Sequence, residues 1–237
     1  MRLASILASI AMTLATGCVD GIDPRWQLDH DRVIAARANP PGIASGESAT
    51  LDALLAHKGA PTSVMAPVGA IPAGDPTLAG TVTFDSGVWT VTAPSEQVLD
   101  QARANLGLDP GAPVPLPIGM TFPGADADHP LVVEKQVLLG TSAENPAMPA
   151  VMLNGGAPGE SITIPGDVDV PMSVEVDDAW TVNWLTSCGT MHDDDEHAAF
   201  VHVLPDDPMT GELAVVIRDV TGGVVWQVWP IAATPAE

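Results

Sequence analysis

The chain has 237 residues, of which 30 are acidic and eight are lysine or arginine, so its formal net charge is −22. A surface this acidic repels phosphate backbones and anionic lipid headgroups, which argues against nucleic-acid binding and against a polybasic contact with membranes. The hydrophobic content of 46% is enough for proper cores, and 23 prolines and 22 glycines divide the apolar runs into short pieces that favour strands and turns over long helices.

Residues 1–17 have the organisation of a signal peptide. Arg2 supplies a positive charge, and the apolar stretch at residues 3–14 is too short to span a membrane. The residues Leu14-Ala15-Thr16-Gly17 before Cys18 resemble the bacterial lipobox, with the large aliphatic residue one place further upstream than usual. The resemblance implies cleavage before Cys18 and acylation of its thiol and amine, and Val19 favours the outer membrane over the inner. The alternative is an ordinary secretory signal in which Cys18 has no role.

The lipid changes how the two cysteines are interpreted. Two cysteines in an exported protein normally indicate one disulfide. If Cys18 carries lipid, Cys188 is an odd thiol in an oxidising compartment, and burial, a partner or a metal must explain it. If Cys18 is not acylated, a Cys18–Cys188 disulfide becomes possible.

Residues 18–30 are polar and irregular, which predicts a tether, and residues 31–129 form the first β-rich domain. Apolar residues at every second position over 49–55 predict a half-buried strand. Residues 81–92 predict two short strands joined by an Asp85-Ser86-Gly87 turn.

One short helix interrupts this pattern. Ser95 as its N-cap, an apolar face and Gly107 as its stop predict about three turns. Strict alternation over residues 113–123 then predicts a strand, and the prolines at 115 and 117 indicate a sheet edge or an extended connection.

Residues 130–237 form the second domain. Gly159-Glu160-Ser161 repeats Gly46-Glu47-Ser48 at a distance of 113 residues, as a duplicated β-module would. Alternation over residues 170–176 predicts a strand with one solvated face. Four more strands are predicted around residues 180–184, 198–204, 212–218 and 224–231, and strands at this spacing indicate a β-sandwich with Trp184 and Trp226 in its core.

The motif WLTSCGTM, followed by GELAVVIRDVTGGVVW, resembles the frame of immunoglobulin-like and PKD-like modules. Such modules recur in envelope lipoproteins of myxobacteria and related bacteria. The likeness covers roughly residues 159–232, and the opening DRVIAARANPP of the first domain also resembles the start of those lipoproteins. It implies an all-β protein of two immunoglobulin-like β-sandwich domains, the first with one short helix, and it implies no biochemical activity.

The segment after Trp184 has the most distinctive chemistry. Cys188, His192 and His197, with His202 further on, follow one another at intervals of four, five and five residues. Thiolate and imidazole suit zinc or copper, so Cys188, His192 and His197 are a candidate metal site. In the alternative interpretation Cys188 is a small buried hydrophobe, His192 and His197 are solvated, and His202 is a strand residue.

Calcium is a further alternative, because carboxylates are its preferred ligands. The candidate ligands are Asp193–Asp195 with Asp206 and Asp207, or Asp126 with Asp128. Contiguous acids do not alternate ligand and spacer as calcium loops do.

Catalysis by Cys188 is disfavoured, because the four acids at residues 193–196 oppose thiolate formation. The sequence also contains no Gly-x-Ser-x-Gly elbow, phosphate-binding glycine loop or His-Glu-x-x-His motif. We therefore expect a lipid-anchored cell-envelope protein without catalytic activity, with a binding or structural role and a protein partner in the envelope. A periplasmic zinc- or copper-binding lipoprotein is the alternative.

Overall fold

The computed structural model describes residues 24–124 and 128–235. The signal peptide, Cys18 and Asp126 lie outside the described residues. Strands dominate the described part of the chain, which confirms the expected all-β class. Within that part, no helix has the length and apolar character that a membrane crossing requires.

The first domain is a sandwich of two sheets. Its strands are β1 Arg32–Asn39, β2 Gly42–Ile43, β3 Ser48–His57, β4 Ala60–Met65, β5 Gly69–Pro72, β6 Val82–Asp85, β7 Val88–Thr92, β8 Val114–Phe122 and β9 Leu131–Leu139. One sheet has the order β1-β3-β7-β6, with β4 also paired to β3, and the other has the order β2-β9-β8-β5. All pairs are antiparallel except β2 with β9.

The second domain is also a sandwich of two sheets. Its strands are β10 Val151–Leu153, β11 Ile162–Pro165, β12 Val170–Val174, β13 Thr181–Thr186, β14 Thr190–His192, β15 Ala198–His202, β16 Thr210–Arg218 and β17 Val224–Thr234. The sheet orders are β10-β12-β15-β14 and β11-β17-β16-β13, and only β11 with β17 is parallel.

Both domains have one topology. If β4 is set aside, the remaining strands of the first sandwich correspond in chain order to β10 through β17, and their sheet orders are the same. Each is an immunoglobulin-like sandwich. The short repeat does not reflect this duplication, since Gly46-Glu47-Ser48 leads into β3 whereas Gly159-Glu160-Ser161 leads into β11, which corresponds to β2. The echo between the two segments is therefore not evidence of equivalent positions.

The domain boundary lies later than we expected from the sequence. Strand β9 pairs with β8 over its whole length, from Val114 with Leu139 to Phe122 with Leu131. The segment around residue 129 is the connection of this hairpin, and the first sandwich continues to Leu139. Loop composition alone did not distinguish a hairpin turn from a linker, because both use the same polar residues and glycine.

The predicted helix and the proline-containing strand are both present. Helix α1 spans Glu96–Leu106, follows Ser95 and ends at Gly107 in the left-handed region with φ 69°, although the Ser95 side chain makes no capping hydrogen bond. Strand β8 pairs with β5 only at residues 118–121, so Pro115 and Pro117 lie in the half of β8 that has β9 as its partner. Their missing N–H groups are tolerated there, as at a sheet edge.

The two sandwiches pack on each other through the outer faces of two sheets. Side chains of β1 and β3 meet side chains of β13, β16 and β17, and together with Leu28 they form a third apolar cluster between the two cores. Its buried members are Leu28, Ala35, Leu54, Ala56, Leu185, Ala214, Val216 and Val224. Strands β3 and β16 are apolar at consecutive positions over residues 53–56 and 213–217 because both of their faces are buried.

This interface changes the place of one predicted core residue. Trp184 lies in the second core, as we expected, but Trp226 packs in the interface between the sandwiches. Trp229, three residues further along β17, is the tryptophan that joins Trp184 in the core. The expectation for Trp226 was wrong because the strand's outer face is also covered.

Candidate functional site

Cys188 is a core residue of the second sandwich. Its side chain is fully buried among the residues around Trp184. Its backbone N–H donates to Thr186 Oγ1 at 3.0 Å, and the same hydroxyl donates to the Cys188 carbonyl oxygen at 3.1 Å. Burial raises the pKa of the Cys188 thiol, so little reactive thiolate forms. Burial therefore accounts for this cysteine without a ligand or a disulfide partner.

Gly189 turns the chain from Cys188 into β14. Its φ is +78°, and a Cβ there would lie 2.3 Å from the carbonyl oxygen of His202. Only glycine permits both this dihedral angle and this close approach. The turn directs Met191 into the core and leaves His192 exposed.

The predicted metal ligands are not brought together. His192 stacks on Phe200 outside the core, with ring centroids 4.5 Å apart and an interplanar angle of 10°. His197 Nε2 lies 3.3 Å from the Trp180 carbonyl oxygen. Cys188 points into the core, and within residues 24–124 and 128–235 no three His, Cys, Asp or Glu side chains form a group able to hold a metal ion. Although Cys188 and His192 are only four residues apart, the tight turn between them places the thiol and the imidazole on different sides of the sheet.

His202 is held by two carboxylates. Its Nδ1 lies 2.6 Å from Asp169 Oδ1, and its Nε2 lies 3.7 Å from Asp167 Oδ1. These carboxylates, Asp169 first, raise the pKa of His202. The contacts fasten the loop between β11 and β12 to the end of β15.

The acidic segment is the turn between β14 and β15. The Trp184 backbone N–H donates to the Asp194 carbonyl oxygen at 2.8 Å, and its indole N–H donates to the Glu196 carbonyl oxygen at 3.0 Å. Asp206 and Asp207 follow β15, whereas Asp193–Asp195 precede it. The two acid groups lie at opposite ends of that strand, so the fold does not assemble the candidate calcium ligands at residues 193–195 and 206–207.

Sequence reasoning missed a cleft between the two sandwiches. A cavity of about 420 Å³ lies where β1 and β9 meet the hairpin of β16 and β17. Its polar lining includes Lys135 and Arg218, two of the eight basic residues in the chain. Glu134 and Asp219 also line it, so the cleft brings two cations and two carboxylates together between the sandwiches.

Lys135 is a cation at a core-facing position. It pairs with Ile118 across the ladder of β8 and β9, so its side chain starts on the inner face of the first sandwich. It is buried, and its Nζ donates to the Gly222 carbonyl oxygen in the second sandwich. Burial, with the nearby positive charge of Arg218, lowers the pKa of Lys135 to about 8 against the opposing effect of Asp219.

Arg218 connects the same two domains from the other side of the cleft. Its Nη1 donates to Asn183 Oδ1 at 2.6 Å, and its Nη2 donates to the Ile34 carbonyl oxygen at 3.0 Å. Burial lowers the pKa of Arg218 as well. The sequence could have pointed to both residues as unusual buried cations. Lys135 and Arg218 each occupy a position in an apolar alternation where an apolar residue is expected.

No family model matches the chain. No curated protein matches it. Solved structures that are similar include the tandem Ig repeats of Dlar, at 10% identity over 87% of this chain and 98% of that chain, with a TM-score of 0.28. Murine CEACAM1b is 12% identical over 84% of this chain and 100% of that chain, with a TM-score of 0.27. The protocadherin gammaB7 EC3-6 cis-dimer structure is 11% identical over 88% of this chain and 50% of that chain, with a TM-score of 0.26. At such identities and TM-scores these likenesses carry no argument about this chain.

Proposed function

We propose that this protein is a lipid-anchored component of the bacterial cell envelope, placed in the outer membrane, with a non-catalytic binding or structural role. Its two sandwiches act as one body that the lipid on Cys18 holds at the membrane, where it meets a protein partner of the envelope. The lipobox-like residues before Cys18 support the anchor. The attachment of residues 26–28 to the second sandwich is the structural observation that carries the proposal.

The N-terminal segment joins the edge of β13 through an isolated parallel β-bridge between Gln27 and Thr186. The Thr186 N–H donates to the Trp26 carbonyl oxygen at 2.8 Å, and the Leu28 N–H donates to the Thr186 carbonyl oxygen at 3.1 Å. Trp26 packs against the second core, and Leu28 is buried in the interface between the sandwiches. Within the described residues, the segment that precedes the first sandwich is therefore attached to the second.

This attachment limits the distance between the body and the lipid. Residues 19–23 separate Cys18 from Pro24, and a fully extended stretch of that length spans roughly 20 Å. An acylated Cys18 would keep the β13 edge of the second sandwich within that distance of the bilayer surface. The charge of −22 repels anionic headgroups, so the body is held at the membrane by the lipid and not by its own surface.

Contacts between the sandwiches favour a single body over two hinged modules. The Thr62 N–H donates to Glu212 Oε2 at 2.6 Å across the interface. Asn145, in the linker, donates through Nδ2 to the Ala38 carbonyl oxygen at 2.9 Å and accepts from the Val224 N–H at 2.8 Å. Such a body suits a module that presents a fixed surface to its partner.

The anchor is tested by labelling cells with a radioactive fatty acid and fractionating their envelopes. Cys18→Ser should abolish the label and release the protein from the membrane fraction, because the acyl chains supply the membrane affinity. Cys188→Ala is the matched control and should keep both the label and the membrane association. Continued labelling of Cys18→Ser, or a Cys18–Cys188 disulfide in non-reducing mass mapping, would refute the lipid anchor.

A further inference from the structure

We propose that the cleft between the sandwiches binds a small organic carboxylate, whose negative charge is held by Lys135 and Arg218 and whose apolar part lies against the surrounding aliphatic side chains. This site is independent of the lipid anchor, since it is built only from the folded domains.

The two cations make their hydrogen bonds to neutral oxygens. Lys135 donates to the Gly222 carbonyl oxygen, and Arg218 donates to the Asn183 amide oxygen and the Ile34 carbonyl oxygen. An ammonium group has three N–H donors and a guanidinium has five, so these contacts leave donors for a ligand. Lys135 and Arg218 line the same cleft and the charge of Arg218 acts on Lys135, so an anion placed between them would stabilise both charges.

The carboxylates at the cleft do not replace such a ligand. Asp219 Oδ1 accepts from the Thr221 N–H, the Thr221 hydroxyl and the Gly223 N–H, each at 2.8 Å, so this oxygen is used to shape the turn between β16 and β17. Glu134 is exposed, and it is the neighbour of Lys135 on β9, where successive side chains point to opposite faces. Glu134 and Asp219 formally balance the charges of Lys135 and Arg218, but neither acid is hydrogen-bonded to either cation, so the donors of the two cations favour a ligand with a single negative charge.

The walls of the cleft define the rest of the ligand. Val33, Ala35, Val133 and Val224 line it beside the two cations. A volume of about 420 Å³ lies within the range of sites for small molecules and is too small for a folded partner. An aliphatic body with one terminal carboxylate satisfies both the apolar walls and the cationic donors.

The charge of the whole protein repels multiply charged anions more strongly than singly charged ones. At −22, the long-range field repels polyphosphates and nucleic acids before they reach the cleft. A guanidinium fork also matches the geometry of a carboxylate, which it binds through two parallel N–H donors. A monocarboxylate is therefore favoured over phosphate.

Titration calorimetry on the full-length protein in detergent at pH 7 tests the site, with isovalerate as the probe and isovaleramide as its uncharged counterpart. We expect isovalerate to saturate a single site and isovaleramide to give no saturable heat. Arg218→Met should weaken isovalerate binding by at least about tenfold, because a charge-assisted hydrogen bond is lost. Arg25→Met removes a cation that is 78% exposed and should leave binding unchanged.

The wild-type protein alone can decide the question if Arg218→Met does not fold. Its affinity for isovalerate should fall as the pH rises through 8, because Lys135 then loses its proton beside Arg218, Asp219 and Glu134, whose charges remain. Equal binding of the acid and the amide, absence of saturable binding, or tighter binding of inorganic phosphate would overturn the proposal. So would unchanged affinity in a folded Arg218→Met protein.

Discussion

The guanidinium carbon of Arg37, in the first sandwich, lies 4.1 Å from the ring centroid of Trp226 in the second. Asp52 holds the same guanidinium from within its own sandwich, accepting from Nε at 3.0 Å and from Nη2 at 2.6 Å. Two hydrogen bonds therefore orient the planar group whose face meets the indole. A lysine could not keep this arrangement, because its ammonium cannot bind Asp52 through two parallel N–H donors while stacking a planar face on the indole. The interface has a defined geometry in addition to its apolar contacts.

Removing the indole should weaken the whole molecule. We expect Trp226→Ala to lower the free energy of unfolding by roughly 2–3 kcal/mol, because it removes half-buried aromatic surface and the cation–π contact. Phe84→Ala is the control, since Phe84 is 58% exposed and should cost well under half as much. Urea denaturation measures both values, and equal losses for the two variants would contradict the role of Trp226 in the interface.

A charge in the interface should separate the sandwiches without unfolding them. Val216 is fully buried between them, and an unpaired carboxylate there costs several kcal/mol. Separation exposes the new carboxylate to water, so Val216→Asp should increase the radius of gyration in small-angle X-ray scattering while circular dichroism keeps its β signal. Val220→Asp, at a position 72% exposed, should leave the scattering curve unchanged. A compact Val216→Asp protein would mean that the interface tolerates a charge.

The turn at Gly189 should be intolerant of any side chain. Gly189→Ala is expected to destabilise the protein by at least about 3 kcal/mol, because it adds a collision with the His202 carbonyl oxygen to the strain of a positive φ. Gly87 has a similar φ of +84° with open space around it, so Gly87→Ala should cost only about 1 kcal/mol. Thermal unfolding compares the two, and similar losses would show that the dihedral angle alone sets the requirement.

Cys188 should be inert in the folded protein. In the Cys18→Ser variant Cys188 is the only thiol, and its alkylation should be at least about a hundredfold slower in native buffer than in denaturant, because it is buried and burial raises its pKa. Mass spectrometry follows the reaction. Fast native labelling, or stoichiometric zinc or copper that disappears in Cys188→Ala, would contradict a purely structural role.

Lys135 should make stability depend on alkaline pH. Its pKa is about 8 in the folded protein and 10.5 ordinarily, so between these values the unfolded chain binds more protons. The free energy of unfolding should therefore rise between pH 8 and 10.5, by about 3 kcal/mol in total, while below pH 8 this group contributes no pH dependence. Lys135→Met should remove the rise, and Lys58→Met, at an exposed lysine, should keep it. Subtracting the urea-denaturation curve of Lys135→Met from that of the wild-type protein isolates Lys135, because all other groups are shared, and the same subtraction with Lys58→Met serves as the control.

The sequence by itself determined most of the local structure. Alternating apolar residues in β3, β8 and β12 have a period of two, which the pleat of a strand imposes whatever it packs against. Ser95 and Gly107 marked the ends of α1 because helix ends have their own residue preferences. The all-β class and the β-sandwich followed from these short-range rules, and the resemblance of residues 159–232 added the immunoglobulin-like type.

Tertiary structure decided everything that depends on which faces meet. The period of a strand does not tell whether its second face is solvated, so the interface at Trp226 and the cleft at Lys135 and Arg218 depended on the pairing of the two sandwiches. The separation of Cys188 from His192 depended in the same way on the turn at Gly189, whose close approach to β15 involves residues distant in the chain. Contacts between distant residues are set by the packing of whole sheets. The pattern of neighbouring residues along one strand does not predict which sheet faces pack together.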